Sequence, residues 1–215
     1  MKAIVYRRYG GAEILESAQL PDPVPAAGQL LIRVAATSIN PVDWKIASGK
    51  LRPLRFAHFP QVPGFDVAGT VAAVGAGVSG FSVGERVHAR LADNLGAAAA
   101  ELTVAGTNVT TQMAVGMDFA TAAGLPLAGI TALQGLRDGG DLPMNGANAR
   151  VLVLGASGGV GHLAVQIARA AGATVIGVCS ARNRDLVAGL GAHQIIDYAA
   201  PNPYAGLAPC DVILD

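Results

Sequence analysis

This 215-residue chain has two cysteines, one tryptophan and only 5% aromatic residues, and each shortage excludes something. Cys179 and Cys210 are too few for a disulfide framework or a thiolate zinc site. Charged side chains make up 14%, against about 25% in an average soluble domain. Fifteen basic residues balance fifteen acidic ones. A net charge of zero gives no field to steer the chain onto a phosphate backbone, which argues against nucleic acid as a partner. Long apolar runs are missing too. Mean hydropathy is +0.44, yet the most apolar stretch, residues 113–136, is broken by Asp118, Thr121, Pro126 and Gln134. A spanning helix needs roughly 20 apolar residues in succession, so no membrane association is expected. The opening MKAIVYRRYG reaches two arginines at positions 7 and 8 and lacks the apolar stretch of a secretory leader. With no leader, span or disulfide framework, the expected location is cytoplasmic.

Aliphatic residues are plentiful. Apolar side chains reach 52%, so the core is built from Ala, Val, Leu and Ile. Residues 2–6, 14–19, 30–36, 67–74, 86–89 and 99–104 read as short strands. Turn chemistry separates them at Pro21-Asp22-Pro23, Ala27-Gly28, the stretch 75–80 and Val83-Gly84. This spacing predicts a small β-barrel or sandwich. After about residue 118 the rhythm changes. Asp118 is placed to cap a helix through residue 123, and residues 127–137 carry a helical pattern stopped by Gly139-Gly140. Strands at 151–154, 174–178, 194–197 and 211–214 then alternate with helices at 162–171 and 183–190. That alternation predicts an α/β fold with a doubly wound parallel sheet. The expected domains are residues 1–122 and 123–215.

The segment VLVLGASGGVGHLAVQIARAAGATVIGVCS carries the strongest motif, Ala156-x-Gly158-x-x-Gly161 between a buried strand and a helix. Gly158 lets backbone approach a diphosphate, and Gly161 lets the helix pack on the strand. The amides and positive helix end around Ser157, Gly158, Gly159 and Val160 would hold the phosphates. Ala156 stands where the first glycine usually is, which is tolerable if its φ is negative. An NAD-type site wants a carboxylate at the end of the second strand, 18 residues past Gly161. Cys179 is there instead, followed by Ser180, Arg182, Asn183 and Arg184. Two arginines at a helix start oppose its dipole unless a 2′-phosphate engages them, so NADP(H) is the expected cofactor. The bland alternative is a pair of solvated arginines. Tyr198, after the third strand, reads either as a neighbour of the adenine ribose or as an edge tyrosine.

The motifs ATSINPVDWKIASG, VPGFDVAGTVAAVG, FSVGERVHA, LPLAGITALQGL and VLVLGASGGVGHLAVQIA, in that order, resemble the medium-chain dehydrogenase/reductase superfamily. More closely they resemble its zinc-free quinone oxidoreductase branch. The resemblance implies a GroES-like β-barrel followed by a partial Rossmann domain. It also implies hydride transfer from NADPH to a quinone or an α,β-unsaturated carbonyl, and a homodimeric full-length form. In the zinc enzymes of the superfamily a catalytic Cys stands at the position of Asn40 and a metal-binding His at that of Phe65. The four-cysteine lobe would fall near residues 91–100, where there is no cysteine. His58, His88, His162 and His193 are scattered without ligand spacing, so no metal is expected. By the resemblance, Asn40, Asp43, Trp44 and Lys45 line the catalytic cleft. Asn40 would donate to a substrate carbonyl or hold the nicotinamide ribose, and Lys45 would face the developing oxyanion. Lys45 also reads as an ordinary exposed lysine, and Trp44 as a core or hinge anchor. Thr131 matches a family threonine near the nicotinamide, or else bonds back to its own helix.

The Rossmann portion holds three strands and the start of a fourth, where the complete fold has six. The expectation is therefore a shortened version of a longer oxidoreductase. The alternatives are an NADPH-binding module without turnover and an inactive fragment.

Overall fold

The computed structural model describes residues 1–52, 58–91, 96–145 and 148–215. They form two units, Met1–Leu127 and Ala128–Asp215.

In the first unit, β1 (Lys2–Val5) and β2 (Glu16–Gln19) make an antiparallel ribbon. A five-stranded antiparallel sheet then runs in the order β6-β3-β4-β5-β7. Its strands are β3 (Gln29–Thr37), β4 (Asp66–Val74), β5 (Arg86–Arg90), β6 (Leu102–Gly106) and β7 (Thr110–Gln112). Alternation along β3 buries Leu30 and Ile32, which meet Val67, Val71, Val87 and Ala89 in the sheet's core. The β3–β4 register slips at Leu31/Ile32 and again at Val34/Ala36. Such bulges bend and twist a strand, and here they curl the sheet. Gly69 sits beside the second slip, where an added Cβ would lie 2.1 Å from the Arg33 carbonyl oxygen. Two short helices belong to this unit, α1 (Pro41–Ala47) and α2 (Phe119–Ala123). Asp118 caps α2 as expected, its carboxylate accepting from the Thr121 amide at 2.9 Å and the Thr121 hydroxyl at 2.7 Å.

The second unit is a parallel sheet of four strands: β8 (Arg150–Val153), β9 (Thr174–Cys179), β10 (Gln194–Asp197) and β11 (Val212–Leu214). Their order, β10-β9-β8-β11, is the third-second-first-fourth order of a dinucleotide-binding sheet. The helices are α3 (Pro126–Gln134), which starts at the end of the first unit, α4 (Gly161–Ala170) and α5 (Arg184–Gly189). Val151, Val153 and Val175 face Ala164, Val165 and Ala168 of α4 and Val187 of α5. Leu152, Ile176, Val178 and Ile196 make a second apolar cluster. Strands buried on both faces read as continuous apolar runs, which is why this half has high aliphatic content. The GroES-like and Rossmann-like architecture is therefore as expected.

Three local differences stand out. Residues 12–14 form a 3₁₀ turn, so β2 begins at Glu16 rather than at 14. The strand expected at 99–104 runs Leu102–Gly106. Helix α3 ends at Gln134 and continues as a π-helical turn, Gly135–Gly139, rather than as α-helix to 137. Among the described residues no helix is long and apolar enough to cross a membrane.

Candidate active site

In the second unit the chain leaves β8 and turns at Gly155, whose φ is +61°. The Ala156 amide donates to the Val178 carbonyl at 2.9 Å, and the Gly158 amide to Gly155 at 2.8 Å. Ala156 is fully buried and is not among the residues with positive φ, so it fits this position without strain. Gly161 opens α4 in very close contact with the turn. A Cβ there would lie 2.2 Å from the Gly155 oxygen and 2.9 Å from the Ala156 Cα. By contrast, a Cβ on Gly159 would meet nothing within 4 Å. The turn thus presents bare backbone and open space at the start of a ten-residue helix, a cradle that fits the phosphates of a dinucleotide.

The stretch after β9 reaches back to this turn. The Asn183 side-chain amide donates to Ser157 Oγ at 2.9 Å. Ser180 caps the 3₁₀ turn Ala181–Asn183, with the Asn183 amide on its carbonyl at 2.9 Å. Arg182 and Arg184 are exposed, and among the described residues neither guanidinium has an ion pair. Cys179 is buried at the end of β9. Burial pushes its thiol up, against the pull of the Arg184 charge. Tyr198 follows β10 and is exposed. Thr131 lies on the exposed side of α3.

In the first unit, Asn40 and Asp43 are fixed by the start of α1. Pro41 takes the first helical position, where its missing N–H costs nothing. Asp43, three residues past the cap, returns its Oδ2 to the Asn40 amide at 2.7 Å. Its Oδ1 accepts from the Gly64 amide at 3.1 Å. Burial raises the Asp43 carboxyl above its ordinary value, and these two amides oppose that rise. The Asn40 side-chain nitrogen donates to Asp66 Oδ2 at 2.8 Å and to Ser38 Oγ at 3.0 Å. Both amide protons are therefore taken, and donation from Asn40 to a substrate carbonyl would break this network. Asp66 is fully buried. It also accepts from Ser38 Oγ at 2.7 Å and, on Oδ1, from the Leu127 amide at 2.8 Å. The sequence motifs mark neither Ser38 nor Asp66 as a site residue. A polar residue two positions before a helix cap was the available signal for Ser38.

Trp44 is 48% exposed rather than a core anchor. It walls a cavity of about 480 Å³ within this unit, together with Ile4, Leu15, Ile39, Pro63 and Ala99. Lys45 is exposed on α1 and stands 5.8 Å from the Trp44 ring centroid.

Two family models match the chain: the alcohol dehydrogenase GroES-like domain over residues 26–132 and the zinc-binding dehydrogenase over residues 159–214. The chloroplast envelope quinone oxidoreductase homolog of Arabidopsis thaliana is 44% identical over 212 residues, covering 97% of this chain and 64% of the relative. The NADPH-dependent alkenal/one oxidoreductase, chloroplastic, of the same plant is 37% identical, covering 94% and 53%. The solved quinone oxidoreductase of Coxiella burnetii superposes with a TM-score of 0.87 at 33% identity, over 100% of this chain and 68% of that one. This chain belongs to the quinone oxidoreductase branch of the medium-chain dehydrogenase/reductase superfamily. It spans less than two thirds of the length of the curated relatives it matches.

Two points follow from membership. The second family model is described as zinc-binding, yet the residues here do not fit zinc. Asp66 is saturated by three donors, Asn40 offers it N–H groups rather than a lone pair, and Phe65 is an apolar buried side chain. Among the described residues no group of three His, Cys, Asp or Glu is placed to hold a metal. The expectation of a cytoplasmic location is corrected: both plant relatives are named as chloroplast proteins, one of them of the envelope. Composition could not have revealed this, because an organelle address resides in short targeting stretches rather than in bulk charge or hydropathy.

Proposed function

We propose that this chain is part of an NADPH-dependent reductase that passes hydride to a quinone or to the β-carbon of an α,β-unsaturated carbonyl. The observation that carries the reading is the 155–161 turn, bare and open at Gly159 at the start of α4, in a chain with this kinship. Ser157, Gly158, Gly159, Val160 and Gly161 would hold the diphosphate. Ser180, Arg182 and Asn183 would take the adenosine ribose and its 2′-phosphate, whose charge suits an exposed arginine. When bound, the reduced nicotinamide supplies the hydride. Asn40 and Asp43 position the loop before α1 through their backbone and carboxylate bonds. Lys45 is the cation available to an oxyanion formed as hydride adds, and the oxygen or α-carbon then takes up one proton.

Steady-state loss of NADPH absorbance with phenanthrenequinone and with an alkenal tests the reading. The expected result is turnover of at least one acceptor, with Lys45→Met lowering kcat roughly 10²-fold and leaving NADPH affinity unchanged. NADPH binding without oxidation by either acceptor would contradict it.

A further inference from the structure

Asp66 governs which way the Asn40 amide is turned. Asp66 is fully buried, while Asn40 is only half-buried. Three polar atoms close a triangle at the start of α1. Ser38 Oγ donates to Asp66 Oδ2 at 2.7 Å, and Asn40 Nδ2 donates to the same oxygen at 2.8 Å. Nδ2 also donates to Ser38 Oγ at 3.0 Å. The other carboxylate oxygen, Oδ1, accepts from the Leu127 amide at 2.8 Å. The Asp66 backbone carbonyl is held in turn by Thr37 Oγ1 at 2.7 Å. The carboxylate therefore cannot swing aside without stranding donors on both of its oxygens.

An ionised carboxylate only accepts, whereas the two ends of an asparagine amide differ: the nitrogen donates and the oxygen accepts. Asp66 thus draws the nitrogen end of Asn40 to itself, and with Ser38 it consumes both amide protons. The oxygen end is left to meet a bound molecule. The resemblance implies either that Asn40 donates to a substrate carbonyl or that it holds the nicotinamide ribose. A ribose hydroxyl can donate to an amide oxygen, and a carbonyl cannot. The fixed carboxylate selects the second role.

We propose that Asp66 is a positioning residue that acts through Asn40, turning its amide so that the oxygen accepts from a hydroxyl of the nicotinamide ribose. This role rests on the NADPH-dependent reading above, and its test needs no turnover.

Exchanging the two side chains separates positioning from mere support. In Asp66→Asn the new amide oxygen keeps the Leu127 amide, and its NH₂ takes the place of Oδ2. Asn40 must then turn over, with its oxygen toward position 66 and its NH₂ toward the ligand. The fold is kept, because each donor of the network still has an acceptor. In the double variant Asp66→Asn/Asn40→Asp, the carboxylate at position 40 accepts at both ends. Aspartate also caps a helix as well as asparagine does. Calorimetry gives the dissociation constants of NADPH and of 2′,5′-ADP, which lacks the nicotinamide ribose, with urea midpoints alongside. Asp66→Asn is expected to weaken NADPH about tenfold or more and to leave 2′,5′-ADP and the midpoint unchanged. The double variant should recover NADPH to within about threefold of the parent. Unchanged NADPH affinity in Asp66→Asn, no recovery in the double variant, or a parallel loss of 2′,5′-ADP would overturn this inference alone. A parent chain that does not bind NADPH would overturn both the inference and the reading beneath it.

Discussion

Two glycines of the 155–161 turn separate what its folding needs from what the proposed cofactor needs. At Gly161 a methyl group would press on backbone at 2.2 Å, and backbone cannot yield as a side-chain tip does. Gly161→Ala is expected to destabilise the protein by about 1–3 kcal/mol, read by denaturant unfolding. At Gly159 a methyl group would enter open space. Gly159→Ala should leave the unfolding midpoint unchanged and weaken NADPH binding, because the methyl occupies the place assigned to the diphosphate. Unchanged NADPH affinity in that variant would move the phosphates elsewhere. The motif made these residues legible in the sequence. The Asn183–Ser157 hydrogen bond was not legible, because it joins positions 26 residues apart through the third dimension. The same is true of Asp66, whose three donors come from residues 38, 40 and 127.

Among the elements, α1 is short and owes its start to the Asn40–Asp43 pair. Asp43→Asn would set a side-chain NH₂ against a backbone amide and lose one acceptor, costing about 1–3 kcal/mol. Its pH dependence has a definite sign. The folded carboxyl is raised above 3.8 by burial, so the folded chain holds this proton more tightly than the unfolded one. The group favours the fold most below pH 3.8, and that advantage is lost as pH rises through the raised value. Asp118 acts in the opposite sense, since its bonds to Thr121 lower its carboxyl below 3.8. Its support is present above 3.8 and is lost as pH falls through the lowered value. In Asp43→Asn only the second dependence remains, so relative to the parent its stability should fall more steeply on acidification, followed by urea midpoints across the acid range. Asp118 was legible as a cap because capping is local. Strand β7 was not, because Thr110, Thr111 and Gln112 have no apolar alternation and are made a strand by pairing with β5. The strands of the second unit were legible because burial on both faces writes itself as an uninterrupted aliphatic run.

At the scale of the whole molecule, the scarcity of aromatic and charged residues becomes intelligible. Small aliphatic side chains let α4 lie against β8 and β9 through Ala164, Val165 and Ala168. The change of rhythm in the sequence near residue 118 marks the passage from curled antiparallel sheet to parallel sheet, and the units divide after Leu127. The resemblance carried by five motifs extended to the family, while location lay beyond what composition encodes. The proposed dinucleotide site has arginines where the usual carboxylate would stand. Its direct test is the ratio of dissociation constants for NADPH and NADH on this chain, with Arg182→Ala alongside. The account predicts that NADPH binds at least about tenfold more tightly, about 1.4 kcal/mol, and that Arg182→Ala removes most of that preference while sparing NADH. Equal affinities, tighter NADH, or equal losses for both cofactors in the variant would contradict it.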